Sequence, residues 1–564
     1  MPALSVTKYR RIARGAWLYD AYSMVIAGAG ILDFGMAIPE TFNAATYFVD
    51  RNVAEGRGAK IAIECGDDCV TYQQLLERVN RVGNALRDQL QVRIEERILL
   101  LLPDQPELIY SFFGAIKIGA IPVPANTLWK PLDYEYLLND SRARVVIVSD
   151  ALLPQIQAVP TDRLRYLRHI VVVGSATAAG EAVSSFVDVM AQASPALEAE
   201  PTRKDDAAFW LYSSGSTGFP KGCVHLHHDM PICALAYARG VLGIKEDDRC
   251  FSVAKLFFAY GLGNGMYFPF SVGATTILWS GSPTPANVYA VIEKHRPTLF
   301  FSVPTNVGML LAHRREGADF DLSSVRHAVS AGEALPPSLF ERFKQRFGIE
   351  ILDGIGSTEV LHIFISNRPG AVRPGSSGLL VDGYEARLVD EENQPVPHGE
   401  IGNLLIKGDS ACATYWNKHD KSKETIEGHW IRTGDKYRQD RDGYFWYAGR
   451  TDDMLKVGGL WVSPVEVENA LIEHPAVLEC GVIGRCDHDR LVKPAAYVVL
   501  RENIQGTREL ATELQQFVRA KLPEYKRPRW VEFMMQLPKT ATGKIQRFKL
   551  REAADAASSS GARL

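Results

Sequence analysis

The sequence predicts an α/β protein: mostly parallel sheets covered by helices on both faces, then a turn-rich antiparallel region and a small α+β module. Three observations carry that prediction. Short continuous apolar runs, such as Arg97-Ile-Leu-Leu-Leu-Leu102 and Val145-Val-Ile-Val-Ser149, alternate with stretches of helical spacing, and strands buried on both faces read in this way. A turn-rich stretch then carries the runs Tyr384-Glu-Ala-Arg-Leu-Val389 and Gly402-Asn-Leu-Leu-Ile-Lys407. After the short polar link Thr451-Asp452-Asp453, a further stretch repeats its own helix and strand alternation, and about 100 residues suffice for an independent core.

A chain of 564 residues, 46% of them hydrophobic, is long enough for more than one domain. The formal net charge of -3 leaves no electrostatic footprint for nucleic acid. No apolar run approaches the roughly 20 residues needed to cross a bilayer, so no stable membrane insertion is expected. The eight cysteines are scattered, and the closest pair, Cys65 and Cys69, is one residue too long for CxxC. Reduced thiols in a cytoplasmic protein are the simplest reading. His225, His227 and His228 cluster without a carboxylate or cysteine at metal-ligand spacing, so no metal cage is expected there. Internal repeats are absent, and nothing chooses between monomer and homodimer.

Residues 1–37 are expected to form a disordered or peripheral extension. Lys8, Arg10, Arg11 and Arg14 precede a modestly apolar stretch over 24–32, but Asp20 and several glycines interrupt any signal-peptide pattern. From there the periodicity predicts a helix over 72–86, a strand over 97–102 ended by Pro103, and a helix over 108–118. Strands follow over 145–149, 169–174, 207–212, 274–279, 298–302 and 327–331. The terminal module, 452–552, is expected to hold helices over 464–472 and 510–522 and strands over 479–483 and 495–500. The tail 553–564 is low in complexity and expected to fray.

Several turns carry chemistry. Ser213-Ser-Gly-Ser-Thr-Gly-Phe-Pro-Lys221 concentrates glycines, hydroxyls and one lysine after a buried strand. That composition suits a loop offering N–H groups, hydroxyls and a cation to phosphate oxygens. It is not a Walker A loop, because Lys221 is followed by glycine. Gly332-Glu333 follows one strand directly, and Ile351-Leu-Asp-Gly-Ile-Gly-Ser-Thr-Glu359 runs from another into a glycine turn. Ligands of open α/β sheets sit outside the carboxyl ends of strands, so these turns and the Ser/Gly loop are expected to line one crevice. Asp435 and Arg450 each follow a glycine, and Leu537-Pro-Lys-Thr-Ala-Thr-Gly-Lys544 ends in a second Gly-Lys turn.

In order and spacing these motifs resemble the acyl-adenylate-forming superfamily of acyl-CoA synthetases, firefly luciferases and peptide-synthetase adenylation domains. The resemblance covers essentially everything after residue 38. Lys255-Leu-Phe-Phe-Ala-Tyr-Gly-Leu-Gly-Asn264, Gly354-Ile-Gly-Ser-Thr-Glu-Val-Leu-His-Ile-Phe364 and Pro538-Lys-Thr-Ala-Thr-Gly-Lys-Ile-Gln-Arg-Phe-Lys-Leu550 narrow it to the benzoate–CoA ligase family. It implies a large domain over 38–451, with two mostly parallel sheets and a distorted β-barrel, and a small mobile α+β domain. It also implies ATP, Mg²⁺ and coenzyme A, and a two-step reaction: benzoate attacks ATP to give benzoyl-AMP, and the CoA thiol then displaces AMP.

Under that resemblance Ser213, Ser214, Gly215, Ser216, Thr217, Gly218 and Lys221 cradle the β- and γ-phosphates. Thr358 bonds the α-phosphate and Glu359 holds Mg²⁺ through oxygen. Gly332, Glu333, Asp353, Gly354 and Ile355 flank the adenine, while Asp435 and Arg450 meet the ribose. Lys544 bridges the carboxylate and the α-phosphate, Asp452 is the hinge, and Gly458 and Gly459 line the CoA tunnel. Ala259, Tyr260, Gly356, His362 and Ile363 form the acyl pocket, which suits a small apolar aromatic acid. The loop around Gly459 lacks the serine expected before its second glycine. Three alternatives stay open: a ligase for 4-hydroxybenzoate or 2-aminobenzoate, an enzyme loading a carrier-protein phosphopantetheine, and a non-catalytic nucleotide-binding protein.

Overall fold

The computed structural model describes residues 38–175, 182–213, 219–451, 453–457, 460–487, 491–539 and 545–559. The extension expected over 1–37 lies outside them. A five-stranded sheet orders Ile121–Pro124, Arg97–Leu101, Val145–Ser149, His169–Val173 and Val183–Ser185, every pair parallel. Its middle strands are buried on both faces, as their unbroken apolar runs require. The helix Tyr72–Asn84 starts on a reciprocal cap: Thr71 Oγ1 accepts the Gln74 N–H at 3.2 Å, and Gln74 Oε1 accepts the Thr71 N–H at 3.0 Å.

A nine-stranded sheet carries the site. Its parallel centre orders Ile61–Cys65, Thr275–Leu278, Arg249–Ser252, Leu299–Ser302, His327–Ser330 and Ile351–Gly356. Ile363–Ser366 then folds back antiparallel on Ile351–Gly356. Between the two large sheets in the sequence, Ala207–Ser213 and Lys221–Leu226 pair antiparallel, with Thr414–Tyr415 added at the edge. This corrects the expectation that the Ser/Gly loop leaves the end of a parallel strand. It joins a hairpin instead, and the strand Lys221–Leu226 escaped notice because Lys221, Gly222 and His225 interrupt the apolar run.

The turn-rich region is antiparallel as expected and forms a half-barrel where a distorted β-barrel was expected, with Glu385–Val389, Gly402–Lys407, Trp430–Gln439 and Phe445–Arg450 in order. Past it, Val477–Cys486 and Val492–Leu500 pair antiparallel and Trp530–Phe533 adds in parallel. The helices Pro464–Ile472 and Arg508–Lys521 cover this sheet and bury Val467, Leu471, Leu514 and Val518 in a separate core. The last helix runs Arg547–Ser559, taking in part of the stretch expected to fray. Its alanines favour helix, and Leu550 and Ala554 are buried against Ile483 and Tyr497. Among the described residues no helix is long and apolar enough to cross a membrane, and all eight cysteines are free.

Candidate active site

The strands His327–Ser330 and Ile351–Gly356 are parallel neighbours with Ser330 opposite Asp353. Their carboxyl ends therefore bring Gly332, Glu333, Asp353, Gly354 and Ile355 to one edge. Gly332 has φ +93°, a conformation that favours glycine. Asp353 Oδ2 accepts the Leu335 N–H at 3.3 Å, and burial pushes this carboxyl well above its ordinary range. Gly356 closes the strand against the returning chain, where a Cβ would stand 2.5 Å from the His362 carbonyl oxygen.

Thr358 and Glu359 leave this edge in a turn gripped from outside the sheet. His225 Nε2 meets the Thr358 carbonyl at 2.8 Å, and the Cys412 N–H donates to the Glu359 carbonyl at 2.7 Å. The Tyr415 hydroxyl donates to Glu359 Oε1 at 2.6 Å. Lys221 Nζ lies over the Tyr415 ring, 4.6 Å from its centre. Burial lowers the Lys221 pKa, and the Glu359 charge opposes that shift. Ser213 pairs with Lys221 at the mouth of the hairpin. The hairpin and the Thr358-Glu359 turn thus form one polar cluster. Ser214, Gly215, Ser216, Thr217 and Gly218 lie outside the described residues.

Asp435 and Arg450 face each other on neighbouring half-barrel strands, with Arg450 Nη1 3.1 Å from Asp435 Oδ1. The Asp435 charge raises the Arg450 pKa, and Glu359 adds to the shift, so this pair shares a field with the polar cluster. Asp453 accepts from Arg551 Nη1 at 2.8 Å, and Arg547 Nη1 lies 3.6 Å away. Both arginines come from the last helix. The residue beside the expected hinge is therefore tied to the helix that follows the Lys544 loop. Asp452, Gly458, Gly459 and Lys544 themselves lie outside the described residues.

The expected acyl-pocket residues converge. Tyr260 and His362 meet tilted at 5.5 Å between ring centres, with Phe268 at 4.4 Å and Tyr237 at 5.4 Å from His362. Tyr260 donates its hydroxyl to the Ser302 carbonyl at 3.2 Å. Ala259 and Ile363 are buried beside them. Burial pushes the His362 pKa down to about 3, so its Nε2–H donates to the Tyr260 carbonyl and Asn264 Oδ1, each at 3.2 Å. His362 Nδ1 is buried without a hydrogen-bond partner among the described residues. Around His362 the surroundings are aromatic and uncharged.

Tyr415 and Asp229 escaped the sequence reading, which named His225 only within a histidine cluster without a carboxylate partner. Asp229 stands four residues after His225 and accepts from it, so the histidine group does have a carboxylate partner. Among the described residues no group of three or more potential ligands could hold a metal. The His/Asp spacing at i and i+4 was the available signal, and only the contact with Thr358, 133 residues away, gives it meaning.

A family described as AMP-binding enzyme matches residues 50–416, and one described as AMP-binding enzyme C-terminal domain matches 466–544. The chain is 48% identical to a benzoate–CoA ligase of Thauera aromatica, over 94% of this chain and all of the relative. The solved anthranilate CoA ligase AuaEII in complex with anthranoyl-AMP is 48% identical, with a TM-score of 0.89, over 93% of this chain and 99% of that one. A benzoate CoA ligase from Burkholderia xenovorans LB400 gives 48% and 0.82, over 90% and 100%.

Proposed function

The chain belongs to the AMP-binding enzyme family, and from that premise we propose an AMP-forming aryl-CoA ligase that converts benzoate, ATP and CoA to benzoyl-CoA, AMP and pyrophosphate. The observation that carries the aryl choice is the aromatic, uncharged setting of Tyr260 and His362. A flat apolar ring bound there would leave no buried charge unpaired. The relative from Thauera aromatica is named for benzoate.

In the first step a benzoate oxygen attacks the α-phosphorus, and the bond to the β-phosphate oxygen breaks. Negative charge gathers on the α-phosphate and on the departing pyrophosphate, so preset donors and cations lower the barrier. Thr358 donates to the α-phosphate, and Lys221 with Ser213 serves the leaving pyrophosphate. Asp435, oriented by Arg450, accepts the ribose hydroxyls. Tyr415 occupies Glu359 Oε1, leaving Oε2 as the oxygen that would hold Mg²⁺; the ion, when bound, would neutralise phosphate charge. Lys544 bridges the two reactants.

In the second step the CoA thiol gives its proton to solvent, its sulfur attacks the acyl carbon, and the bond from that carbon to the phosphate oxygen breaks, AMP leaving with the bonding electrons. Rotation about Asp452 removes Lys544 from the carbonyl and brings Gly458 and Gly459 to the tunnel. Ring-substituted benzoates form a second reading, favoured by His362 Nδ1, an acceptor that a ring amino or hydroxyl group would meet. A panel of benzoate, hydroxybenzoates and anthranilate, assayed for pyrophosphate release with and without CoA, tests both readings. Benzoate should give the highest kcat/KM, and no release with any aryl acid would refute the aryl-ligase assignment.

A further inference from the structure

His225 and Asp229 are both fully buried, and Nδ1 meets Oδ2 at 2.7 Å. The same Asp229 oxygen accepts the Leu226 N–H at 3.1 Å, while Oδ1 faces His228 Nε2 at 3.2 Å. His228 Nδ1 in turn meets the Lys204 carbonyl at 2.9 Å. Phe209 stacks on the His225 ring at 5.1 Å and 16°. The ring is held on its edge and on its face. Its remaining nitrogen, Nε2, meets the Thr358 carbonyl, which only accepts, so Nε2 carries a proton.

Burying such a pair is costly, and an apolar pair of similar volume often packs as stably. Nor does the Thr358 carbonyl need rescue, since the Leu361 N–H also donates to it at 3.2 Å. What His225 adds is direction. A trans peptide holds its C=O and N–H antiparallel. Turning the Thr358 carbonyl inward on His225 therefore turns the Glu359 N–H outward. The same turn holds Leu361 at φ +69°, a strained conformation for a residue with a Cβ. It keeps that shape only while neighbours impose it, and His225 is one of them.

We propose that His225, oriented by Asp229, is a positioning residue that sets the Thr358-Glu359 peptide for adenylation. The proposal rests on the reading of Thr358 and Glu359 as the groups that meet the α-phosphate and Mg²⁺. His225 touches no substrate. It acts through the backbone that aims both side chains, and a misplacement of about 1 Å costs on the order of 100-fold in rate.

The test uses the full chain with benzoate and ATP, and reads kcat and both KM values for pyrophosphate release. In His225→Gln the amide N–H still reaches the Thr358 carbonyl. In His225→Asn it is one methylene too short, although the contact with Asp229 remains. His225→Asn should lose on the order of 100-fold in kcat with both KM values little changed, and His225→Gln should recover most of it. Wild-type kcat in His225→Asn, or equal losses in both variants that follow their thermal midpoints, would overturn the proposal and leave a packing role. If His225→Asn fails to fold, Asp229→Ala frees the ring from its second anchor. Lower kcat at unchanged KM supports the proposal there, and wild-type kcat overturns it. Thr358→Val separates the two levels. An active Thr358→Val refutes the α-phosphate reading itself, whereas an inactive one beside a fully active His225→Asn refutes only the positioning role.

Discussion

Asp435 and Arg450 stand opposite each other on adjacent antiparallel strands, 3.1 Å apart between Oδ1 and Nη1, with Asp435 buried and Arg450 half exposed. The arginine orients the Asp435 carboxylate at the edge of the half-barrel. Asp435→Ala should therefore raise the KM for ATP by roughly 10- to 100-fold, because a hydrogen bond to a charged group contributes about 1.5–3 kcal/mol. The KM for benzoate should move far less. Steady-state kinetics with each substrate varied in turn checks this, and an unchanged KM for ATP would remove Asp435 from the nucleotide site.

Lys544→Ala should lower benzoate-dependent pyrophosphate release by about 10²–10³-fold, the scale of losing one electrostatic stabiliser. Thioester formation from supplied benzoyl-AMP should survive. Equal losses in the two half-reactions would contradict a lysine that leaves the site between steps.

Gly356→Ala places a methyl 2.5 Å from the His362 carbonyl oxygen, which is backbone and cannot rotate away. Overpacking of this kind costs about 1–3 kcal/mol. The expected outcome is a lower thermal midpoint together with a raised KM for benzoate, since the displaced strand carries His362 with it. Wild-type values for both would show that the strand yields.

Acid should destabilise the fold through two buried histidines, His362 and His227. Burial pushes the pKa of His362 down to about 3 and that of His227 down to about 4, against about 6.5 in the unfolded chain. Their folded pKa values are depressed, so the unfolded state binds more protons between these limits. The stability is fully present above about pH 6.5 and declines as pH falls toward 4 and 3. Linkage gives a loss of about 2 kcal/mol per histidine by pH 5. Denaturant midpoints at pH 7.5 and 5 measure it. His227→Gln should flatten the dependence, and an identical slope in that variant would exclude His227 as a contributor.

Some of this architecture was open to reading along the chain. The unbroken apolar runs at Arg97–Leu101 and Val145–Ser149 demand cover on both faces, which only a helix-flanked sheet provides. The Thr71 cap and the helix after it are local events, decided by residues three and four apart. The Gly332 turn could be placed for a similar reason, since its φ of +93° favours a residue without Cβ; the glycine turn expected at Gly354 and Gly356 is instead strand, paired with the returning chain.

Contacts between distant segments could not be read. Nothing near Glu359 announces that Tyr415 will donate to it, or that His225 will turn the Thr358 carbonyl inward. The hairpin after Ser213 was missed because pairing with Thr414–Tyr415 stabilises a strand whose own sequence is poorly apolar. Periodicity and turn chemistry act over a few residues, so the chain alone laid down the layered α/β plan, the separate C-terminal module and the turns rich in glycine, hydroxyl and charge. Only the tertiary structure decided which of those residues meet, and which buried groups hold them. Hydrogen bonds and desolvation depend on distances in space that no local pattern encodes.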